Sequence, residues 1–327
     1  MIEPKISFVV AARNDNYGGN FLHRLQVFLN CLLDLWERYE LNGEMIIVEW
    51  NPPEGAPRLV EALVLPPSVP AGRVRIIEVP KALHRRIANS DRITLFEYIA
   101  KNVGIRRAKG QYVLATNPDI LFSRELIKFL ASEDLSSNCF YRIDRYDVGM
   151  EVPLKMPVDE QLRFCTKNSV CVRSTMGTIP LKYLSSKNYK VLRGYLRKLF
   201  SPWDAIRWFT MKFIFKIHTG ASGDFTLMDR RSWHGLRGYP ELPTQTTVDY
   251  YLCSMAKSSG LYQVVFKNPL RIYHQPHGLS GMDGQSIAVH KLFWEDIKGM
   301  LRSGNPIILN DESWGLGNEE LQESVIM

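Results

Sequence analysis

Apolar residues recur along this chain at two spacings, and each change of spacing coincides with a polar turn. Ile6-Ser7-Phe8-Val9-Val10-Ala11 is almost unbroken and is followed by the turn Arg13-Asn14-Asp15-Asn16-Tyr17-Gly18-Gly19. Such a run predicts a strand covered on both faces that feeds an exposed loop. Leu22, Leu25, Phe28, Leu29, Leu32, Leu33 and Trp36 then recur at helical spacing, with Asn20 in the capping position. Met45-Ile46-Ile47-Val48 predicts a second strand, ended by Glu49-Trp50-Asn51 and Pro52-Pro53, and Val74 to Val79 a third. A helix carrying Leu95, Tyr98, Ile99 and Val103 leads to a fourth strand, Gln111 to Ala115. Strands alternating with helices predict an α/β fold with a mainly parallel central sheet flanked by helices.

The later pattern is less regular. Asp144 to about Ser185 shows no clear period, whereas Phe225 to Met228, Val264 to Phe266 and Arg271 to Tyr273 read as strands. Val248 to Lys257 and Ala288 to Leu301 read as helices. Neither an internal repeat nor a cleanly cutting linker is visible.

Composition narrows the class. Hydrophobic residues at 45% and charged residues at 23% belong to a folded protein rather than a disordered one. The net charge of +7 suits phosphate-bearing ligands, nucleic acid or an anionic membrane without choosing among them. Its distribution is uneven: between Lys182 and Lys216 nine basic residues face one acidic residue, Asp204, while Asp311 to Glu323 is acidic. Cys31, Cys139, Cys165, Cys171 and Cys253 form no CxxC pair, and their odd number argues against a disulfide framework. The chain enters a strand at once, leaving no room for a leader, and no apolar run reaches the roughly 18 residues of a membrane span. The expectation is a cytoplasmic protein, with the cytoplasmic face of a membrane as the alternative.

Loops at the carboxyl ends of parallel strands are the default ligand site. That rule gathers Asn14 and Asp15 after the first strand, Glu49 after the second, and Asn117-Pro118-Asp119 after the fourth. Asp119 suits a hard divalent ion shared with phosphate oxygens, and equally suits a cap on the helix that begins near Ser123. Glu49 and Asp15 suit a nucleoside, or are solvated loop carboxylates. Trp233, Tyr239 and Glu241, with Asp224 before them, suit a sugar face and its hydroxyls, or are a packed tryptophan and a salt-bridged loop. His274-Gln275-Pro276-His277 carries two histidines with no cysteine pair and no HExxH helix, a weak zinc signal. Neither GxGxxG nor GxxxxGK[ST] occurs.

The order of these pieces resembles the GT-A glycosyltransferases, family-2-like members in particular. The resemblance rests on Arg13-Asn14-Asp15, Glu49, the run Ala100 to Gly110, Thr116-Asn117-Pro118-Asp119 and Gly238-Tyr239-Pro240-Glu241. It implies a nucleotide-diphospho-sugar transferase fold with an acceptor-side elaboration. The implied parts are a nucleotide-sugar half at 1–135, a variable basic and aromatic insertion at 136–220, an acceptor-binding and catalytic half at 221–280, and a helix with an acidic tail at 281–327. It also implies metal-dependent transfer from a UDP-linked sugar to a hydroxyl of a glycan or lipid-linked saccharide, with inversion. Donor contacts fall to Ala11, Arg13, Asp15, Glu49, Asn102, Arg106 and Asn117. Mn²⁺ or Mg²⁺ falls to Asp119, His274 and His277, acceptor or sugar contacts to Asp224, Trp233, Tyr239 and Glu241, and the general base to Asp249. Arg13, Arg106 or Arg107 would add positive charge.

Two departures stand out. Asn117 replaces the first carboxylate of an Asp-x-Asp element, and Thr247-Val248-Asp249 lacks the acidic neighbour that relatives place beside the base. The competing classes are a sugar-phosphate nucleotidyltransferase and a noncatalytic carbohydrate or polyanion binder; no nucleic-acid partner is expected. The stretch 187–216 reads as an interfacial membrane segment or as a packed acceptor-domain helix with solvated lysines.

Overall fold

A computed structural model describes residues 3–67, 69–70, 72–175, 177–181, 206, 208–244, 247–278 and 285–326, the side chains of 285–292 excepted. The segment 187–216 lies outside the described residues from 187 to 205 and at 207. In its described part Trp208, Phe209, Phe213 and Ile214 are exposed and Met211 is buried.

The central sheet grows outward from β1 (Ile6–Ala12), every residue of which is buried. β2 (Gly43–Trp50) and β4 (Tyr112–Thr116) flank it in parallel, and β3 (Val74–Val79) lies beyond β2. β10 (Phe225–Asp229) joins β4 antiparallel, followed by β6 (Cys139–Ile143) and β11 (Tyr262–Phe266), while β13 (Gln322–Val325) closes the far edge against β3. The sheet is mixed and mainly parallel, as the continuous apolar runs require.

Alternation along β1 divides the core. Ile6, Phe8, Val10 and Ala12 pack with α1 (Phe21–Arg38) and α5 (Arg124–Ser132). Val9 and Ala11 pack with α4 (Glu97–Arg106) and α8 (Val248–Ser258), outside which lies α9 (Gln285–Ser303). Helices thus cover both faces. Gly104 in α4 has no room for a side chain, since a Cβ would meet Val9 Cγ1 at 2.5 Å; this close approach seats α4 on β1. Among the described residues no helix is long and apolar enough to cross a membrane.

Of the stretch from Asp144 to about Ser185, the described residues 144–175 and 177–181 are built largely from regular elements, contrary to the irregular reading. A second sheet runs β5 (Ile120–Phe122), β12 (Ile272–His274), β7 (Arg145–Val148), β8 (Ser169–Ser174) and β9 (Gly177–Pro180), with helix α6 (Val158–Asn168) between β7 and β8. Its strands are short and partly polar, which hides their period. Two local expectations also change. Asn20 precedes α1 in a left-handed conformation without capping it and donates instead to Glu151 at 2.7 Å. β2 continues through Glu49 and Trp50 rather than ending before them.

Candidate active site and metal centre

β1 is flanked by β2 on one side and β4 on the other, so the carboxyl ends of β1 and β4 form a topological switch point, the position where sheets of this kind place a ligand crevice. Asp119 follows β4 and immediately precedes β5. Because β12 pairs antiparallel with β5, His274 lies opposite Ile120, and Gln275 N donates to Asp119 O at 3.0 Å. A strand ladder therefore joins residues far apart in sequence. His274 Nε2 is 3.8 Å and His277 Nε2 3.6 Å from Asp119 Oδ2. One ligand atom from each of the three residues fits within a span of 4.8 Å.

The second ring nitrogens each face an oxygen. His277 Nδ1 lies 2.9 Å from Gly278 O, and because a carbonyl only accepts, the neutral ring carries its proton on Nδ1 and has Nε2 as a lone-pair donor. His274 Nδ1 faces Asp147 Oδ1 at 3.8 Å. Burial lowers the His274 pKa and favours the neutral ring. Asp119 Oδ1 is buried with no hydrogen-bond partner, a costly state for a carboxylate oxygen that a cation would relieve. One carboxylate and two imidazoles fit a divalent ion of the Mn²⁺ to Zn²⁺ series. The capping alternative for Asp119 does not hold: Ser123 caps α5, its side chain accepting from Leu126 N.

Asn117 does not offer its oxygen to this cluster. Lys101, fully buried on α4, donates to Asn117 Oδ1 at 2.6 Å, to Glu97 Oε1 at 2.6 Å and to Gly223 O at 2.9 Å. Asn117 Nδ2 in turn donates to Asp224 Oδ1 at 2.9 Å, and Arg145 meets Asp224 Oδ2 at 2.5 Å. Arg145 Nε also pairs with Asp147 Oδ1 at 2.8 Å. Both carboxylates thus share one guanidinium, which holds Asp224 below its ordinary pKa despite complete burial and sets Asp147 at about 2, also despite burial. Lys101, Arg145 and Asp147 are site residues that sequence reasoning did not single out.

The loop after β1 packs against the histidines. Gly18 O accepts from Gly278 N at 2.9 Å, and the Tyr17 and His277 rings lie 5.7 Å apart. Arg24 of α1 donates to Gly19 O and to Tyr17 O, with its Nε 4.0 Å from Asp119 Oδ2. Arg13 pairs with Asp15 and donates to Asn51 O at 2.7 Å. Ala11 is a buried β1 residue. Glu49 is buried and accepts from Leu59 N with both oxygens at 3.1 Å, capping the short helix α2 (Leu59–Ala62). Burial pushes its carboxyl up to about 7.

Asp249 lies in the first turn of α8. Its Oδ2 accepts from Ser222 Oγ at 2.6 Å and from Gly223 N at 2.9 Å. Ala221 (φ 52°) and Thr247 (φ 75°) both hold left-handed backbone beside this contact, which for a β-branched threonine is strained. Buried Arg142 stabilises the turn by donating to Gly220 O at 2.9 Å and to Ser222 O at 3.2 Å.

Several expected contacts are spent elsewhere. Trp233 and Tyr239 are fully buried, and Trp233 Nε1 donates to Val113 O at 2.9 Å; both are core residues with no face for a sugar. Asn102 is fully buried, donating to Tyr239 O at 2.8 Å and Glu241 Oε1 at 2.9 Å while accepting from Tyr239 N at 2.7 Å. Glu241 also accepts from Gly315 N at 2.7 Å. Arg106 donates to Glu312 O and Trp314 O, each at 2.9 Å, and Arg107 to the carbonyls of Gly315, Leu316 and Glu319. These residues fasten the C-terminal segment to α4, where the guanidinium groups of Arg106 and Arg107 are hydrogen-bonded to its carbonyls.

No family model matches the chain, and no curated protein matches it. Among solved structures it is similar to the catalytic domain of Drosophila β1,4-galactosyltransferase 7 in complex with xylobiose, at 10% identity and a TM-score of 0.40, covering 91% of this chain and 79% of that one. It is similar to S. aureus TarS at 12% identity and 0.42, covering 83% and 37%, and to GalNAc-T7 with UDP, GalNAc and Mn²⁺ at 10% and 0.44, covering 90% and 50%. The chain thus spans half or less of the last two. Scores this low decide nothing about its chemistry.

Proposed function

We propose that the chain is a metal-dependent GT-A-type glycosyltransferase that moves a sugar from a nucleoside diphosphate sugar, UDP-linked, to a hydroxyl acceptor, with inversion at the anomeric carbon. The observation that carries the reading is the convergence of Asp119, His274 and His277 on one point in the crevice, with both Nε2 atoms facing the carboxylate. Asp119, His274 and His277 would hold a divalent ion, which would supply positive charge to the oxygens of a bound diphosphate. The two imidazoles favour Mn²⁺ over Mg²⁺, which prefers an all-oxygen shell.

The chain's own residues divide the remaining tasks. Arg13 and Asp15 line the approach to the nucleoside from the loop after β1. Asp249, held by Ser222 and Gly223, takes the acceptor proton as the hydroxyl oxygen attacks the anomeric carbon opposite the departing diphosphate. The acceptor is a glycan or a lipid-linked saccharide. Lys101 holds the Asn117 amide so that the neutral residue orders Asp224, and Asp119 alone contributes the anionic ligand.

The test is a screen of nucleotide sugars with Mn²⁺ and with Mg²⁺, read by binding and by slow donor hydrolysis. The proposal expects Mn²⁺-dependent binding of a UDP-sugar, with Asp249→Asn abolishing transfer while leaving nucleotide affinity within about twofold. Absence of binding to every nucleotide sugar with either ion would overturn it.

A further inference from the structure

β12 lies between β5 and β7 in the second sheet. On one side His274 is opposite Ile120, the residue after Asp119; on the other, across a parallel pairing, its Cα partner is Asp147. Residues in register on neighbouring strands project from the same face. The imidazole is accordingly held between two carboxylates, with Nε2 3.8 Å from Asp119 Oδ2 and Nδ1 3.8 Å from Asp147 Oδ1.

Asp147 is itself immobilised. Its Oδ2 accepts from Cys171 Sγ at 3.2 Å and from Arg173 Nε at 3.0 Å, both on β8, while its Oδ1 meets Arg145 Nε at 2.8 Å. That last contact is a close ion pair, and Asp147 Oδ1 is a buried oxygen left without a hydrogen-bond partner. Asp147 Oδ1 thus retains an unused accepting direction, and His274 Nδ1 is the ring nitrogen that faces it. A closing movement of about 1 Å brings the two to hydrogen-bond distance.

We infer that Asp147 is a positioning residue that acts through His274: it accepts the Nδ1 proton, fixes the tautomer with a bare Nε2, and aims that nitrogen at the point where Asp119 and His277 converge. The inference rests on the metal reading above, but its geometry concerns the imidazole alone. It assigns His274 the carboxylate partner that metal-bound histidines commonly have, while His277 uses a backbone carbonyl for the same purpose. Through Arg145, which also binds Asp224, this anchor is continuous with the Asn117 and Lys101 contacts on the other side of the crevice.

Two measurements on the full chain test it. The first is a Mn²⁺ titration, with the free ion followed by electron paramagnetic resonance, for wild type, Asp147→Asn, His274→Ala and the double variant. Asp147→Asn is expected to weaken Mn²⁺ binding about 10- to 100-fold in the wild-type background, and to add nothing once His274 is gone. The second is the His274 tautomer in histidine-labelled protein without metal, read from long-range ¹H–¹⁵N correlations. Wild type is expected to show Nδ1–H, and Asp147→Asn to populate Nε2–H; thermal melts confirm that each variant is folded. Unchanged Mn²⁺ affinity in Asp147→Asn, equal weakening in both backgrounds, or an Nε2–H wild-type ring overturns the inference. The expected tautomers without any Mn²⁺ binding would instead uphold Asp147 and overturn the metal reading.

Discussion

Replacing Lys101 with methionine removes a buried ammonium while nearly preserving its volume. The Lys101 side chain is fully buried, and its three acceptors are Glu97 Oε1, Asn117 Oδ1 and Gly223 O. Glu97 is partly exposed and can turn to water, so its share is small. Asn117 Oδ1 and the Gly223 carbonyl lose their donor inside the protein, at about 1–3 kcal/mol each. Relief from burying the ammonium offsets part of this. The net expectation is a loss of about 3 kcal/mol, which for an unfolding entropy scaling with a chain of this length lowers Tm by about 4–5 °C. Denaturant unfolding gives the free energy, and calorimetry the Tm. The Asn117 amide also loses the contact that fixes its orientation toward Asp224, so donor turnover is expected to fall further than stability alone explains. A variant within about 0.5 kcal/mol of wild type, with unchanged turnover, would refute Lys101 as the support of this element.

Two further outcomes follow from Glu49 at the end of β2 and from the loop after β1. Burial raises the folded-state pKa of Glu49 from 4.5 to about 7, so at intermediate pH the folded protein keeps a proton that the unfolded chain releases. Its contribution is therefore fully present below about pH 4.5 and is lost as pH rises to 7, by up to about 3 kcal/mol; Glu49→Gln should melt progressively higher than wild type from pH 5 to pH 8, and parallel Tm curves would contradict this. Gly18 has φ +67° and a Cβ there would meet His277 Cβ at 2.9 Å, whereas Gly19 has φ +78° with nothing within 4 Å. Both alanine variants carry backbone strain of about 1–2 kcal/mol, but only Gly18→Ala is expected to weaken Mn²⁺ binding several-fold, and equal affinities in a Mn²⁺ titration would remove His277 from the cluster.

Legibility in the sequence followed burial on both faces. β1 to β4 read directly as apolar runs because parallel central strands meet helices above and below, and α1 read directly because one face packs on the sheet. β7 did not, since Arg145-Tyr146-Asp147-Val148 spends two of its four positions on ion pairs. The signal available there was the period of two that puts Arg145 and Asp147 on one face. Asn117-Pro118-Asp119 was visible as a strand end, but its histidine partners arrive through the β5–β12 ladder, a long-range pairing that spacing does not encode. Aromatic character at Trp233 and Tyr239 suited a sugar platform and a core equally, and packing decided for the core. Asn102, Arg106 and Glu241 are polar and site-like in sequence, yet Asn102 bonds Tyr239 and Glu241, and Arg106 and Glu241 bond the C-terminal segment. A sequence shows that such residues need partners without showing which ones they find.

The most direct test of the account is a calorimetric titration of UDP into the protein in Mn²⁺ and again in EDTA, with Asp119→Ala alongside. If Asp119, His274 and His277 hold the ion that meets the diphosphate, wild type binds UDP at least about tenfold more tightly with Mn²⁺, and Asp119→Ala loses the difference. Equal affinity of wild type in Mn²⁺ and in EDTA would contradict the claim.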